Sequence, residues 1–385
     1  MNASLNLTAW CACALLLTAC GGDRAADPDV VRTDSAGIRI VASGSADRDL
    51  LWQFERIDVL RDSLGEPWLF TALWPRAVVT DRAGRTYVLT RDPSIVRFGR
   101  DGRYERTLGR RGGGPGEMQF PVAFGANGDT LFVLDASKMA MVRWGPSFDP
   151  VSDMRLDGAL ERAESIAFRS GGLWFKNRVF GDTAISIALF GDTMSAPLYQ
   201  VAVPGGGAVR FKCVSLNGPL PPLFAPDIEW SASGPRIVVS ATPEYVIWLH
   251  EGVRPIASVR RPLPSRAPTI DDVKALYPEG LKISFGGDAP PCIIPAEEVM
   301  KQFGVASVLP MVHDLILLSD GTIWVQRSPN NAPPVLDVFA SDGAYAGTVR
   351  GMRLPLGLLP NGELLVPRED EASGGLVLAR MRISR

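Results

Sequence analysis

Short polar turns centred on glycine recur along the chain, and each is followed directly by a run of strand-forming residues. Six such turns are present, at Gly84, Gly128, Gly172, Gly234, Gly321 and Gly362. A glycine tolerates positive φ and can close a hairpin, and the β-branched and aromatic residues after it suit a pleated strand. A supersecondary unit repeated in this way is typical of a β-propeller. The pattern therefore predicts an all-β ring of four-stranded antiparallel blades.

The spacing of these glycines indicates the number of blades. Successive glycines are 44, 44, 62, 87 and 41 residues apart, and one four-stranded blade takes roughly 40 to 50 residues. The longest gap could hold a seventh blade around Gly280, but residues 269–277 and 295–304 have the capping residues of helices. The sequence favours a six-bladed β-propeller with a small helical insertion at 262–307 over a seven-bladed ring.

The last blade lacks part of its sequence. Only 23 residues follow Gly362, which is too few for the strands that this blade still needs. We expect a strand from near the N-terminus, either residues 37–41 or residues 56–60, to complete it. That pairing would close the ring and remove exposed strand edges. The propeller is then expected to span residues 37–385.

Residues 1–19 have the features of a bacterial lipoprotein signal peptide. The stretch from Ala9 to Ala19 is apolar but too short to span a bilayer. Its last three residues and the next one form the tetrad Leu17-Thr18-Ala19-Cys20. This tetrad resembles a lipobox, in which the cysteine thiol is lipidated and becomes the new N-terminus. We therefore expect lipidation at Cys20 and a flexible tether at 20–36. The expected location is the outer membrane or the cell surface of a bacterium.

The balance of charges along the chain excludes one class of partner. Forty basic and 42 acidic residues give a net charge of −2, and the basic runs are not interleaved with aromatic residues. Nucleic acid is therefore not an expected partner.

The mature chain keeps two cysteines, Cys213 and Cys292. The sequence is equally consistent with a disulfide between them and with two buried free thiols. We expect a monomer, held at the membrane by its lipid, that binds an unidentified protein, peptide or glycan.

One glycine-rich loop is more specific than the turns. Residues 96–121 read VRFGRDGRYERTLGRRGGGPGEMQFP, and the chain also contains DSAGIRIV at 34–41 and SDGTIWVQR at 319–327. With these segments the chain resembles bacterial six-bladed β-propeller lipoproteins related to NHL-type repeats. The resemblance implies the fold and an extracytoplasmic location, but no particular activity. The GK[ST] of a P-loop does not follow the glycines, so we expect a structural crossover between two blades.

Motifs of known enzymes are scarce in this sequence. It contains no HExxH, GxSxG, CxxC or EF-hand pattern and only two histidines. We therefore expect no metal or cofactor and favour a protein without enzymatic activity. Propeller lactonases nevertheless hold a divalent cation with carboxylate and amide oxygens from separate blades, so such a site has to be considered.

Polar side chains from several blades are expected to meet at the mouth of the central funnel. They lie at the starts of first strands and in loops between second and third strands, and they are Arg76, Glu164, Asn177, Arg178, Asp227, Glu229, His313, Asp314, Arg327, Asn330 and Arg368. The favoured function is a binding scaffold for a protein or cell-envelope ligand. The alternative is a metal-assisted hydrolase or lactonase. That alternative requires three of the acidic or amide side chains to converge on one point, and pairing with cationic side chains would disfavour it.

Overall fold

The computed structural model describes residues 30–384, apart from 74–75, 82, 128, 157–162, 170–171, 181–183, 191–196, 205–207, 217–219, 242, 284–289 and 328–332. Regular structure in this part of the chain is mainly β-sheet. Three strands come first: β1 (Val30–Ser35), β2 (Ile38–Ser43) and β3 (Gln53–Val59). Within the described residues, no helix has the length and apolar character needed to cross a membrane.

The chain continues as a series of antiparallel meanders. The strands of the first three are β4 (Val78–Thr80), β5 (Thr86–Leu89), β6 (Ile95–Phe98), β7 (Tyr104–Leu108), β8 (Pro121–Asn127), β9 (Thr130–Asp135), β10 (Ala140–Trp144), β11 (Pro150–Arg155), β12 (Ala163–Arg169), β13 (Gly172–Phe180), β14 (Ala184–Phe190) and β15 (Pro197–Pro204). The remaining elements are β16 (Val209–Arg210), β17 (Ser215–Leu216), β18 (Glu229–Ser233), β19 (Arg236–Ser240), β20 (Val246–Glu251), β21 (Arg254–Arg260), α1 (Ile270–Leu276), β22 (Leu281–Ile283), β23 (Cys292–Ile294), α2 (Ala296–Phe303), β24 (Asp314–Leu317), β25 (Ile323–Gln326), β26 (Val335–Phe339), β27 (Tyr345–Arg350), β28 (Gly357–Leu358), β29 (Leu364–Glu369) and β30 (Leu376–Ser384).

Five of the sheets formed by the described residues have four strands. They are β4–β7, β8–β11, β12–β15, β24–β27, and β28–β30 with β3. Strands β18–β21 form a similar meander, but β1 and β2 extend it to six strands because β2 pairs in parallel with β21. The expectation of six four-stranded blades is therefore corrected. The fold is an all-β propeller arrangement with five four-stranded sheets and one six-stranded sheet.

An N-terminal strand completes the last sheet. Strand β3 pairs antiparallel with β30, and Phe54 lies opposite Ile383 in this ladder. Of the two predicted donors, residues 56–60 are therefore the ones that contribute to the closing strand. Residues 37–41 instead lie in or next to β2 and pair with β21. The closing pair uses the backbone groups along β30 that would otherwise form an exposed edge.

Apolar side chains fill the spaces between neighbouring sheets. All four residues of β5 are buried, and Tyr87 from this strand packs in one cluster with Phe124 and Trp144 from the following sheet. Strands buried on both faces need such continuous apolar runs. The turns between strands need glycine where φ is positive: Gly321 has a φ of 85°, and a Cβ there would lie 3.0 Å from the Cβ of Ser341.

The segment before β4 runs along the outer edges of several sheets. Strand β2 lies beside β21, Asp49 bridges to Thr348 of β27, β3 lies beside β30, and Arg61 bridges to Arg103 next to β7. Residues 30–35 were expected to belong to the flexible tether. They instead form β1, whose six residues pair in register with β2 and so use backbone groups that a tether would leave to solvent.

A buried arginine fastens this N-terminal segment to the ring. The side chain of Arg261 is fully buried and donates hydrogen bonds to the carboxylate of Asp337 at 2.6 Å and to the carbonyl of Ala46 at 2.8 Å. Arg261 also donates a hydrogen bond of 3.1 Å to Asp47, and Arg327 contacts both carboxylates, with 2.7 Å to Asp47 and 3.2 Å to Asp337. A buried ion pair is tolerated only when its remaining donors are satisfied. Nε, Nη1 and Nη2 of Arg261 all donate to oxygen atoms here.

Both helices lie within the predicted insertion at 262–307. Thr269 and Asp272 form the capping box of α1, and Gly304 ends α2 with a φ of 70°. The helices share an apolar cluster with β16, β17, β22 and β23, so the compact unit also includes residues 209–216, which precede the predicted boundary. A disulfide between Cys213 and Cys292, with 6.1 Å between their Cα atoms, crosses this unit. The sequence had left that bridge undecided.

Candidate binding site at the channel mouth

A central cavity of about 280 Å³ connects the sheets. It is lined by residues of the first strand of each meander, namely β4, β8, β12, β18, β24 and β28. Most of these lining side chains are apolar or small, such as Val79, Ala126 and Ile316. The channel is therefore largely apolar along its length, and its polar chemistry is concentrated where the first strands begin.

We call that end of the channel the channel mouth. It is formed by six charged side chains whose interactions connect them: Arg76, Glu164, Lys176, Asp227, Glu229 and Asp314. Five of these six were predicted from the sequence. Lys176 was missed. It lies at the middle of β13, directly after three apolar residues, and a lysine in that position is the signal that could have revealed it.

Lys176 lies between two of the carboxylates. Its Nζ is 3.0 Å from Oδ1 of Asp227 and 3.7 Å from Oε2 of Glu164, and its side chain is only 9% exposed. Glu164 sits at a β-bulge, because the pairing of β12 with β13 shifts register between Ala163 and Ser165. A bulge re-aims the extra side chain, which here turns towards the ammonium group.

Arg76 lies two residues before β4, and its side chain contributes to the channel mouth. Its backbone has a φ of 68°, an unusual conformation for a residue other than glycine. Its Nη2 donates a hydrogen bond of 2.6 Å to the carbonyl of Trp230, and its guanidinium lies 5.8 Å from the centre of the Trp230 ring. The same nitrogen is 4.0 Å from Oε2 of Glu229. Such strained backbone positions cluster where a side chain is held for a purpose.

Two acidic residues of the mouth, Glu229 and Asp314, have raised pKa values. Burial raises the pKa of Glu229 to about 7, the carboxylates of Asp314 and Asp227 add to this rise, and Lys176 and Arg76 oppose it. Burial also raises the pKa of Asp314. Burial and a neighbouring like charge both disfavour the ionised carboxylate. The mouth thus contains a glutamic acid that changes its charge near neutral pH.

A second, smaller cavity of about 100 Å³ opens beside the mouth, and we call it the side cavity. Asp227, Glu229, Ser240 and His313 supply its polar lining. Glu229 and Ser240 lie directly opposite each other in the β18–β19 ladder, so their side chains share one face. Burial lowers the pKa of His313 to about 4, so its imidazole is neutral at neutral pH.

The remaining predicted residues lie elsewhere or are not gathered at the mouth. Arg327 is not among the charged side chains that interact at the mouth, because it pairs with Asp47 and Asp337. Arg368 is exposed near the end of β29, on the rim at the same end of the ring. Asn177 is buried at 2% exposure next to Lys176. The side chain of Arg178, the whole of Asn330 and the lipidation candidate Cys20 lie outside the described residues.

The glycine-rich loop is held by its own side chains. Glu117 accepts a hydrogen bond of 2.8 Å from the amide of Gly114 and pairs with Arg110 at 2.7 Å. Lys138 donates hydrogen bonds of 2.9 Å to the carbonyls of Gly114 and Glu117, and it also pairs with Asp153. These internal contacts agree with the expected structural crossover between two sheets.

The arrangement of charges bears on the kind of ligand. Across the described residues, no group of three or more histidine, cysteine, aspartate or glutamate side chains is arranged to hold a metal ion. Lys176 and Arg76 lie among the carboxylates instead, which is the pairing expected to disfavour a cation-dependent hydrolase. Among the described side chains, four acidic and two basic ones leave the mouth with an excess of negative charge whenever the acids are ionised. The sequence had predicted a mixed-charge funnel with four acidic and four basic side chains, because it also counted Arg178, Arg327 and Arg368.

The comparisons with known proteins give information about the fold of this chain and not about its function. No protein-family model matches the sequence, and no curated protein matches it. A crystal structure of a candidate exported protein from Bacteroides fragilis is similar, with a TM-score of 0.51 and 10% identity, covering 90% of this chain and 100% of that one. A DUF4221-family member from Bacteroides vulgatus has a TM-score of 0.45 and 8% identity, covering 88% and 98%. The calcium-binding protein regucalcin from Agrobacterium tumefaciens has a TM-score of 0.37 and 12% identity, covering 88% and 96%. At these identities the first similarity concerns the fold alone, and the other two TM-scores lie below 0.5 and are too low to support an argument.

Proposed function

We propose that this protein is a lipid-anchored, extracytoplasmic β-propeller that binds a polar protein, peptide or glycan of the cell envelope at its channel mouth. The observation that carries the proposal is the concentration of six charged side chains at one end of an otherwise apolar channel. Concave sites with a few convergent polar groups are where ligands bind most often.

The proposed ring has six blades. The first strands of six meanders contribute to one central cavity, and β18–β21 is one of them. We therefore count the six-stranded sheet as a blade whose outer edge is covered by the hairpin β1–β2. Covering that edge protects it from pairing with another chain.

Three features support an extracytoplasmic location and a lipid anchor. The sequence begins with a signal-like segment that ends at Cys20. The disulfide between Cys213 and Cys292 suits an oxidising compartment. The fold is similar to that of a candidate exported protein.

Binding is favoured over metal-assisted hydrolysis because of the ion pairs at the mouth. A cation site of the lactonase kind needs carboxylates whose oxygens are free to converge. Here Lys176 contacts both Asp227 and Glu164, and Arg76 lies close to Glu229. A metal dication, which must gather several carboxylate oxygens around itself, would have to break these pairs before it could bind.

The proposal can be tested by affinity capture from detergent-solubilised envelope with the wild type and two matched variants. Lys176→Met removes the central cation of the mouth, whereas Lys138→Met removes a lysine that is equally buried, at 9% exposure, but holds the glycine-rich loop. We expect the same bound species with the wild type and Lys138→Met, and its loss with Lys176→Met. Equal capture by all three proteins would contradict a binding role for the mouth.

A further inference from the structure

The side cavity contains two buried polar atoms that have no partner. Oγ of Ser240 and Nε2 of His313 are inaccessible to solvent and make no hydrogen bond within the described structure, and Ser240 as a whole is only 2% exposed. Both residues line the same space of about 100 Å³. A buried polar group without a partner destabilises the fold. Two such groups on residues that line one cavity indicate that the cavity receives a hydrogen-bonding guest.

We propose that the side cavity binds a small primary ammonium group, carried on a chain of one or two carbons, as the anchoring end of the ligand. This inference rests on the proposed binding function and names the chemistry of its ligand. The carboxylate of Asp227 and the carboxyl group of Glu229 lie at the same cavity and attract a cation, and the two orphaned atoms can accept its hydrogen bonds.

An ammonium group matches this lining better than other small groups. It has three N–H donors and a positive charge, and the cavity offers a hydroxyl oxygen, a neutral imidazole nitrogen and two carboxyl groups as acceptors. An anion would meet four acidic side chains at the adjoining mouth. A quaternary ammonium has no donor, so Ser240 and His313 would stay unpartnered.

The size of the cavity limits the guest. Its volume of about 100 Å³ is several times the roughly 10–15 Å³ that one water molecule needs on the same measure. The space therefore accommodates a nitrogen with one or two attached carbons, and the remainder of a longer ligand would extend towards the channel mouth. Phe224 and Pro310 add apolar surface to the lining of the cavity.

The charge of the cavity depends on pH. Glu229 is faced by Asp227, Asp314, Lys176 and Arg76, and these groups together leave its carboxyl group partly protonated at neutral pH. His313 is faced by Asp272 and Arg266 from the insertion. A bound ammonium stabilises the ionised form of Glu229. Affinity is therefore expected to increase several-fold between pH 6 and pH 8.

The test is a titration of the purified chain with ethylammonium chloride, followed by calorimetry and thermal unfolding at constant ionic strength. Tetramethylammonium chloride and sodium acetate serve as matched salts. We expect saturable binding of ethylammonium only. Ser240→Ala should weaken that binding by about tenfold, which corresponds to one hydrogen bond to a charged donor. The same variant should be at least as stable as the wild type without ligand, because it removes an unpartnered hydroxyl.

Ser258→Ala is the matched control, because Ser258 is buried in the same sheet but already accepts a hydrogen bond from Arg260. It should not change ethylammonium binding. Glycinamide and ethanolamine then distinguish a peptide amine from a headgroup or sugar amine, and tighter binding of either supports the shared chemistry. The inference is overturned if ethylammonium shows no saturation, if tetramethylammonium binds equally, or if Ser240→Ala has no effect on binding. Capture that depends on Lys176 would survive such a failure, so the two proposals can fail separately.

Discussion

Removal of the titrating carboxyl group at the channel mouth should change how stability depends on pH. In Glu229→Gln the side chain keeps its size and stays neutral at all pH values. In the wild type, burial raises the pKa of Glu229 from 4.5 to about 7. The folded protein then holds a proton that the unfolded chain has lost throughout this interval. The contribution of Glu229 to stability is complete below pH 4.5 and is lost as the pH rises through about 7.

The size of the effect follows from the shift of the pKa. At ~1.4 kcal/mol for each unit, the change from 4.5 to about 7 corresponds to about 3–4 kcal/mol in full, most of which falls between pH 4.5 and pH 7.5. The free energy of unfolding of Glu229→Gln, minus that of the wild type, should therefore increase by about 3 kcal/mol between pH 4.5 and pH 7.5. The comparison uses the difference in free energy of unfolding between the two proteins, because the titration of His313 changes the stability of both proteins in the opposite direction. Its pKa falls from 6.5 to about 4, so its contribution grows as the pH rises through that range.

The assay is urea unfolding followed by tryptophan fluorescence at half-unit steps from pH 4.5 to pH 8. Glu251→Gln is the control, because Glu251 is about half exposed and pairs only with the nearby Arg254 among the contacts shown. Its difference from the wild type should vary by less than ~0.5 kcal/mol, as expected for an exposed ion pair. A difference for Glu229→Gln that stays flat within 1 kcal/mol, or that grows towards low pH, would refute the electrostatic account of the mouth.

Three further outcomes are expected. A chain that begins at residue 63 lacks β3 and should lose cooperative unfolding, whereas one that begins at residue 37 keeps β3 and should unfold cooperatively; equal thermal midpoints would contradict closure by β3. The double change Cys213→Ser and Cys292→Ser should lower stability by about 4 kcal/mol for a separation of 79 residues, and denaturant titration that detects less than 1 kcal/mol would show that the bridge is dispensable. Cys20→Ser should move the folded protein from the membrane fraction to the soluble fraction, and unchanged fractionation would argue against a lipid anchor.

The fold could be predicted largely because hairpin turns leave local signals. A glycine such as Gly321 is needed for its positive φ, and the strands that follow are buried and therefore apolar. The helices of the insertion were predictable for a similar reason, since Thr269 and Asp272 form a capping box within four residues. What local signals could not give was the pairing of β1 and β2 with a distant strand, β21.

The site was predicted less completely because it depends on contacts between sheets. The register of each repeat placed Glu164, Asp227 and Glu229 near the axis, and these residues do meet there. The same register predicted that Arg327 lies at the funnel. Arg327 instead forms ion pairs with buried Asp337 and with Asp47 of the N-terminal segment. Lys176 was missed because its two acidic partners are 12 and 51 residues away in sequence. No pattern within one strand reveals a partner at that distance.

The central claim, that the channel mouth binds an envelope ligand, is tested most directly by photo-crosslinking in cells. A photoreactive amino acid at Arg368 would lie on the exposed rim of the mouth, and one at Asp320 would lie in a turn at the opposite end of the ring. We predict a discrete crosslinked species from position 368 that disappears in the Lys176→Met background, and none from position 320. Crosslinking from position 320 alone, or the same species from both positions, would contradict the claim.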